Sequence, residues 1–459
     1  MNKAFPLFLK PLFNFSLFFS FITIVLFSLF EFKFSIILFF LLFGLIGIFI
    51  SNFINPKSNY LFIIVYTISV IFSVLLYFNF QSIYGVPYWS GGSDELEYER
   101  LGKLFAENFN LFDYAAIREY LVPVWHNSVG YIYTVGFFTK ISLHIDGPHT
   151  MHFRLFNSCL LGLISVLVYG IGESLGLKKN TIIYSSLFAS LMPLMLWTAA
   201  QTLRDLLISF LLIFGTFLWT PKNFNDKPRI SKFYIIPISF LIILFLFELR
   251  KGQAIVLLIT STVSLIYGFN KDYKFIKILW IIFLFFTVLF LVFKYSELIF
   301  SDISLLFLSS ESYSEYRIEE TGGGLSSFIF NSKFPLSLIF RPTYALISPL
   351  PVISSKFYQI WLSLGTILQI FFLPYFLNGI YLSFEQKRWR MLLLTFILLF
   401  IGMSMFTFTI RHIVQYLPFG VLITAFGFEN YSKSKKSIFY YMLCILIIFS
   451  TVYLFFKFI

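Results

Sequence analysis

Ser35–Ile54 reads SIILFFLLFGLIGIFISNFI, a run with no ionisable side chain and with apolar residues on every helical face. At 1.5 Å rise per residue such a run makes a helix about 30 Å long, the thickness of a bilayer's hydrocarbon core. Similar blocks recur outward from it. Leu12–Phe30 precedes it; Tyr60–Phe80, Phe153–Gly172, Ile182–Ala200, Leu206–Trp219, Tyr234–Leu249, Gln253–Gly268, Ile278–Phe293, Phe357–Leu382, Met391–Ile410, Ile413–Phe428 and Ile438–Tyr453 follow. The pattern predicts an all-α polytopic integral membrane protein of about 13 transmembrane helices, organised as one integral domain over 1–459. Composition agrees: 58% of the 459 residues are hydrophobic and 12% charged, where a soluble domain carries about 25% charge. Cys159 and Cys444 both fall inside apolar blocks, so neither a disulfide framework nor a cysteine metal site is expected.

Charge sets the expected orientation. Lys and Arg in short loops accumulate on the cytoplasmic side. Starting inside, the cytoplasmic connections hold Lys3, Lys10, Lys57, Lys178, Lys179, Lys222, Lys227, Arg229, Lys232, Lys271, Lys274, Lys277, Lys387, Arg388, Arg390, Lys433, Lys435 and Lys436. The short outer connections hold only Lys33, Arg204, Arg250, Lys251 and Arg411, with Lys457 near the C-terminal end. The N-terminus is therefore expected in the cytoplasm, and the first span is expected to be retained, because no small-residue cleavage pattern follows it. The net charge of +12 is spread over loops between apolar blocks rather than gathered on a basic domain, which argues against nucleic acid as a partner.

Two long connections, 81–152 and 295–356, then lie on the outer face and hold most of the 22 acidic residues. The first opens with Gly91-Gly92-Ser93-Asp94-Glu95-Leu96-Glu97-Tyr98-Glu99-Arg100. Two glycines make a turn, Ser93 or Asp94 can cap, and Leu96, Leu101, Leu104, Phe105 and Phe109 form an apolar stripe. A short amphipathic helix is expected along the membrane surface, with the Asp94 and Glu95 carboxylates near the lipid headgroups.

Further charges stand at the outer ends of hairpins: Arg204 with Asp205, Glu248 with Arg250 and Lys251, and Arg411 with His412, with Arg341 at similar depth. Each alone reads as a side chain snorkelling to the interface. Together they supply cations suited to phosphate, arginine bidentately so. Charged residues are nearly absent from span centres, which disfavours a lipid or polysaccharide transporter with a midplane ion site. Carboxylates beside phosphate-binding cations at a membrane surface suit a lipid-linked sugar: a base deprotonates the acceptor hydroxyl, and the departing phosphate needs its charge stabilised.

The residues also resemble the GT-C superfamily of polytopic glycosyltransferases, in the bacterial branch related to protein mannosyltransferases and lipid A aminoarabinose transferases. Asp94-Glu95 stands where that family has an acidic pair in its first outer loop. Arg154-Leu155-Phe156-Asn157 through Gly162 and Tyr169 to Leu175-Gly176 is similar to its next span; Pro193 with Arg204-Asp205, and Arg411-His412 before Leu417-Pro418, are similar to later elements. The resemblance covers mainly 94–219. It implies that Asp94 is the catalytic base; Glu95 is then expected as its partner or a metal ligand, and the outer span-end residues Arg204, Asp205, Arg250, Lys251, Arg341, Arg411 and His412 are expected to bind substrate. The implied donor is a polyprenyl-phosphate-linked sugar, the acceptor a cell-envelope glycan or lipid, and the location a bacterial inner or plasma membrane. Three spans precede the acidic loop here, where family members commonly have one. The second loop, with Tyr313, Tyr316, Arg317, Glu319, Glu320 and Gly322-Gly323-Gly324, has no counterpart in that pattern; it reads as a tether or as a lid over an extended glycan. It keeps a polymerase or ligase of pyrophosphate-linked O-antigen or capsule units in view, with Arg317, Arg341, Arg411 and His412 handling the donor.

Metal chemistry has two candidate donor sets. His149 and His152 lie three apart with Asp146 near, although Gly147-Pro148 favours a turn before the span. Were a divalent metal required, Asp94 and Glu95 would also serve as oxygen ligands.

Overall fold

The computed structural model describes residues 9–110, 128–220, 232–268, 336–351, 354–406 and 409–431, with scattered positions between and beyond them. The described residues form helices and no strand. Five helices are long and apolar enough to cross a membrane: α1 (Lys10–Glu31), α2 (Ser35–Ile54), α3 (Asn59–Tyr84, extended to Pro56 by a 3-10 turn), α6 (Thr150–Leu175) and α13 (Phe357–Glu385). A sixth candidate is a bent pair, α7 (Lys179–Leu191) and α8 (Pro193–Ala199), which meet at 50°. Pro193 removes a helical N–H and forces Met192 into an extended conformation (φ −53°, ψ 137°), so the Ile182–Ala200 block cannot run straight. Shorter helices complete the described bundle: α9 (Asp205–Leu218), α10 (Lys232–Leu249), α11 (Lys251–Gly268), α14 (Arg390–Phe406) and α15 (Leu417–Glu429). Several apolar helices thus mark a membrane protein. Eleven of the expected spans have a helical counterpart among these elements; Ile278–Phe293, most of Ile438–Tyr453 and the Tyr313–Gly324 stretch lie outside the described residues.

Helix α6 is the axis of the bundle. Of its apolar window 94% is buried, against 28% in α1, and α3, α2, α7 and α9 pack around it. The outer helices instead expose phenylalanines such as Phe15, Phe18, Phe30 and Phe49, the surface expected of helices whose solvent is hydrocarbon.

The first long connection contains two helices where one was expected. The amphipathic helix α4 (Ser93–Asn108) packs along an apolar helix α5 (Val129–Leu143). Gly102 and Gly136 permit that close approach: a Cβ on Gly136 would lie 1.8 Å from the Phe105 ring, and one on Gly102 2.5 Å from Val135. The buried face of α4 carries Glu95, Tyr98, Leu101 and Phe105, whereas Leu96 is exposed. The cap differs too. Gly92 occupies the N-cap with φ +74°, a conformation that favours glycine, so Asp94 and Glu95 sit in the first turn, where helix-end N–H groups favour negative charge. A further short helix, α12 (Ser337–Leu346), packs against α14.

Cross-helix contacts sort polar residues to two ends. One end joins Lys33 to the Asp146 carbonyl, Thr150 to Thr202 (3.3 Å) and Tyr84 to Tyr358 (2.8 Å). The opposite end joins Asn55 to Glu173 (3.3 Å) and the Lys178 N–H to Glu429 (2.9 Å).

Candidate functional site

Four chain-distant segments converge at the first end. Pro418 fixes the first turn of α15, and the 3-10 segment Ile410–Gln415 before it carries Arg411 and His412. Arg411 pairs with Asp94, in the first turn of α4, through Nη2 and Oδ2, and its Nε lies 3.7 Å from Oδ2 of Asp205. Asp205 opens α9 and is 2% exposed. Its Oδ1 accepts from Gln415 Nε2 at 2.8 Å and lies 3.8 Å from Arg250 Nη1 and 3.9 Å from His412 Nε2. A buried carboxylate is tolerable only when paired and hydrogen-bonded in this way. Burial opposes the Arg411 charge, but the Asp205 and Asp94 carboxylates outweigh it and push the guanidinium above its ordinary value. The mouth of the cluster is open, since the Asp94 and Arg411 side chains are 28% and 27% exposed; Asp205 forms its floor.

Glu95 serves a different set of partners from its neighbour Asp94. Its carboxylate is buried and accepts the Thr202 N–H at 2.8 Å. Glu99, one turn along, accepts from Thr202 Oγ1 at 2.7 Å and from the Tyr88 hydroxyl at 2.8 Å. Thr202 thus clamps α4 to the turn that leads into Arg204 and Asp205. Burial raises the Glu95 pKa from 4.5 to about 7, against the pull of Arg154. Burial raises Glu99 as well, against hydrogen bonds from Thr202 and Tyr88. Arg154 is fully buried on α6; it donates to the Pro87 carbonyl and lies 5.6 Å from the centroid of the Tyr77 ring. Its Nε and Nη1 make no hydrogen bond among the described residues.

The structure therefore brings Asp94, Asp205, Arg250, Arg411 and His412 together. Glu95 stands behind them as part of the clamp. Arg204 turns instead to Ser128 and to the Leu249 carbonyl (3.0 Å), tying α5 and α10 to the site. Lys251 is exposed at the start of α11, and Arg341 on α12 donates to the Met405 carbonyl at 3.1 Å. Gln415, Thr202 and Glu99 were absent from the expected set. Glu99 was legible as the residue four along from Glu95 on one helical face; Gln415 left no sequence signal.

The histidine pair is structural in this arrangement. His149 is the N-cap of α6: its Nδ1 accepts the Met151 N–H (3.2 Å), its own N–H reaches His152 Nδ1 (3.3 Å), and its Nε2 lies 3.6 Å from Glu31. His152 Nε2 shares a hydrogen bond with Ser35 Oγ (2.8 Å), and Asp146 accepts the Ser35 N–H (2.8 Å). Among the described residues no group of three or more His, Cys, Asp or Glu side chains is placed to hold a metal ion.

Beside the cluster a narrow apolar cleft of about 70 Å³ runs between α7, α13, α14 and α15. Ile413, two residues from Arg411, lines it with Phe372, Phe376 and Tyr416. The fold and site thus define a helical membrane protein with a carboxylate–arginine cluster at one end of its bundle. Comparison with family models, curated proteins and solved structures finds no match to this chain.

Proposed function

We propose that this protein is a membrane glycosyltransferase that moves a sugar from a polyprenyl-phosphate donor to a cell-envelope glycan or lipid. It acts at the outer face of a bacterial inner membrane, with its N-terminus in the cytoplasm and a GT-C-like core. The observation that carries the reading is the half-open pair of Asp94 and Arg411 above buried Asp205. It sets a carboxylate and exchangeable cations within one site, at the end of the bundle opposite Lys57, Lys178 and Lys387.

The pairing suggests an order of events. A donor phosphate competes with Asp94 for Arg411, because arginine binds phosphate and carboxylate through the same fork. Released from the arginine, Asp94 takes the proton of the acceptor hydroxyl. That oxygen bonds to the anomeric carbon as the bond from the anomeric carbon to the phosphate oxygen breaks, and the polyprenyl phosphate leaves with its charge held by Arg411, Arg250 and His412. The cleft beside Ile413 offers the first carbons of the tail an apolar contact; it is smaller than the roughly 150 Å³ that holds a benzene, so the rest of the tail lies outside it.

The test is mass spectrometry of surface glycans and lipid-linked intermediates in deletion and Asp94→Ala strains. Loss of one defined sugar with accumulation of its polyprenyl-phosphate donor supports the reading. Complete repeat units that remain single would overturn it in favour of a polymerase.

A further inference from the structure

The end of the bundle opposite the carboxylate–arginine cluster holds a larger cavity, about 670 Å³, within the roughly 300–1,000 Å³ typical of a site for a whole ligand. Its walls come from Ile171 and Leu175 of α6, Thr216 of α9, Val263 of α11 and Ile397 of α14, with Trp219 at the end of α9. The polar atoms in these walls are turned inward. Thr216 Oγ1 donates to the Leu212 carbonyl (2.8 Å), Thr220 Oγ1 to Phe217 (2.8 Å), Ser264 Oγ to Trp219 (3.2 Å), and Trp219 Nε1 to Ser239 (3.0 Å). Each of these donors is spent on the protein itself, so the interior presents carbon.

The rim is the reverse. Lys387, Arg388 and Arg390 border the cavity and are exposed. The turn that carries them is pinned: Trp389 is 1% exposed and stacks on Phe426 at 4.1 Å between ring centroids, and Arg390 Nε donates to the Phe384 carbonyl at 2.9 Å. The nearby acid, Glu385, is engaged by the Tyr381 hydroxyl on the exposed face of α13. Membrane topology accounts for basic residues in this connection. It does not require that they ring a cavity opening between these helices.

From this pairing of a carbon-walled cavity with a fixed cationic rim, we infer that the site binds an anionic phospholipid, one acyl chain inside and the phosphate on Lys387, Arg388 and Arg390. Arginine supplies bidentate contact and lysine a point charge, the composition by which basic pockets between membrane helices hold acidic headgroups. The inference is independent of the sugar-transfer reading.

The full chain, purified in detergent and exchanged against an equimolar mixture of dioleoyl phosphatidylglycerol and dioleoyl phosphatidylcholine, gives the test by native mass spectrometry. Three rim charges predict retention of phosphatidylglycerol over phosphatidylcholine by on the order of tenfold or more. The triple variant Lys387→Gln, Arg388→Gln, Arg390→Gln should lose that preference. Ile397→Trp, which sets an indole in the cavity wall and leaves the charges, should weaken retention of the lipid; melting in phosphatidylcholine shows that both variants fold. Equal retention of the two lipids by the wild type overturns the inference. So does a preference that survives in the folded triple variant, or retention left unchanged in folded Ile397→Trp.

Discussion

Replacing Glu95 by glutamine tests whether this carboxyl is a buried clamp or a working anion. Glutamine keeps an oxygen for the Thr202 N–H and cannot ionise. In the folded protein burial carries the Glu95 carboxyl from 4.5 to about 7, so between those values the folded chain holds a proton that the unfolded chain has lost. The Glu95 contribution to wild-type stability therefore falls as pH rises from about 4.5 to about 7, and is level above. At 1.36 kcal/mol per pH unit the loss reaches about 3 kcal/mol. The variant lacks this loss. Its stability relative to wild type should improve by about that amount between pH 5 and pH 8, a relative rise on the order of 5 °C in melting temperature. Glu99, raised by the same enclosure, is present in both proteins and cancels to first order. The assay is thermal unfolding in detergent at one scan rate across that pH range, followed by intrinsic tryptophan fluorescence. A difference that stays flat with pH, or a variant weakest at pH 8, would refute the reasoning, because Glu95 would then be ionised throughout and held by Thr202 and Arg154 as an anion.

Asp94→Asn should cut transfer from a polyprenyl-phosphate donor by roughly 10²–10⁴, the usual worth of a general base, with membrane insertion unchanged; near-normal turnover in a reconstituted assay would remove Asp94 from the base role. Arg411→Ala leaves Asp205 with Gln415, Arg250 and His412 but without its bridge to Asp94, and should cost about 1–3 kcal/mol, less than a fully buried pair because the guanidinium is partly exposed; thermal melting reads the loss. Gly92→Ala places a Cβ 2.4 Å from Tyr88 Cβ at a positive φ and should destabilise by about 1–3 kcal/mol, seen as a lower melting temperature with faster proteolysis around α4. Burial lowers the His149 pKa from 6.5 to about 4, so the unfolded chain binds the extra proton between those values and the His149 contribution to stability falls as pH drops from 6.5 towards 4. His149→Asn keeps a cap and should flatten that acid limb; an unchanged limb would show that other groups carry it.

Much of the fold was legible because the bilayer imposes a length. A helix that must satisfy every backbone group within hydrocarbon needs an uninterrupted apolar run, and Ser35–Ile54 and Tyr60–Phe80 announce themselves by that criterion alone. The Ile182–Ala200 block was read as one span, and the 50° bend at Pro193 did not follow from that reading. Val129–Leu143 escaped notice, since it stands inside a connection read as one outer loop and carries Thr134, Thr139 and Lys140 among its apolar residues. Within the site, Asp205, Arg250 and Arg411 stood out as charges at the ends of apolar blocks, where each placement carries an electrostatic cost that must be offset, and Asp94 as part of the acidic run that follows Gly91-Gly92.

What the sequence by itself determined was the helical, membrane character of the chain and most of its long apolar helices, because hydrophobicity partitions along the bilayer normal and needs no knowledge of neighbours. Only the tertiary structure decided who meets whom in the plane of the membrane. The pairing of Arg411 with both Asp94 and Asp205, the diversion of Glu95 into a clamp with Thr202, and the turning of Arg204 towards Ser128 depend on which helices pack around α6. That choice is made by side-chain shape and close approach between helices far apart in the chain, information spread over hundreds of contacts and concentrated in no motif.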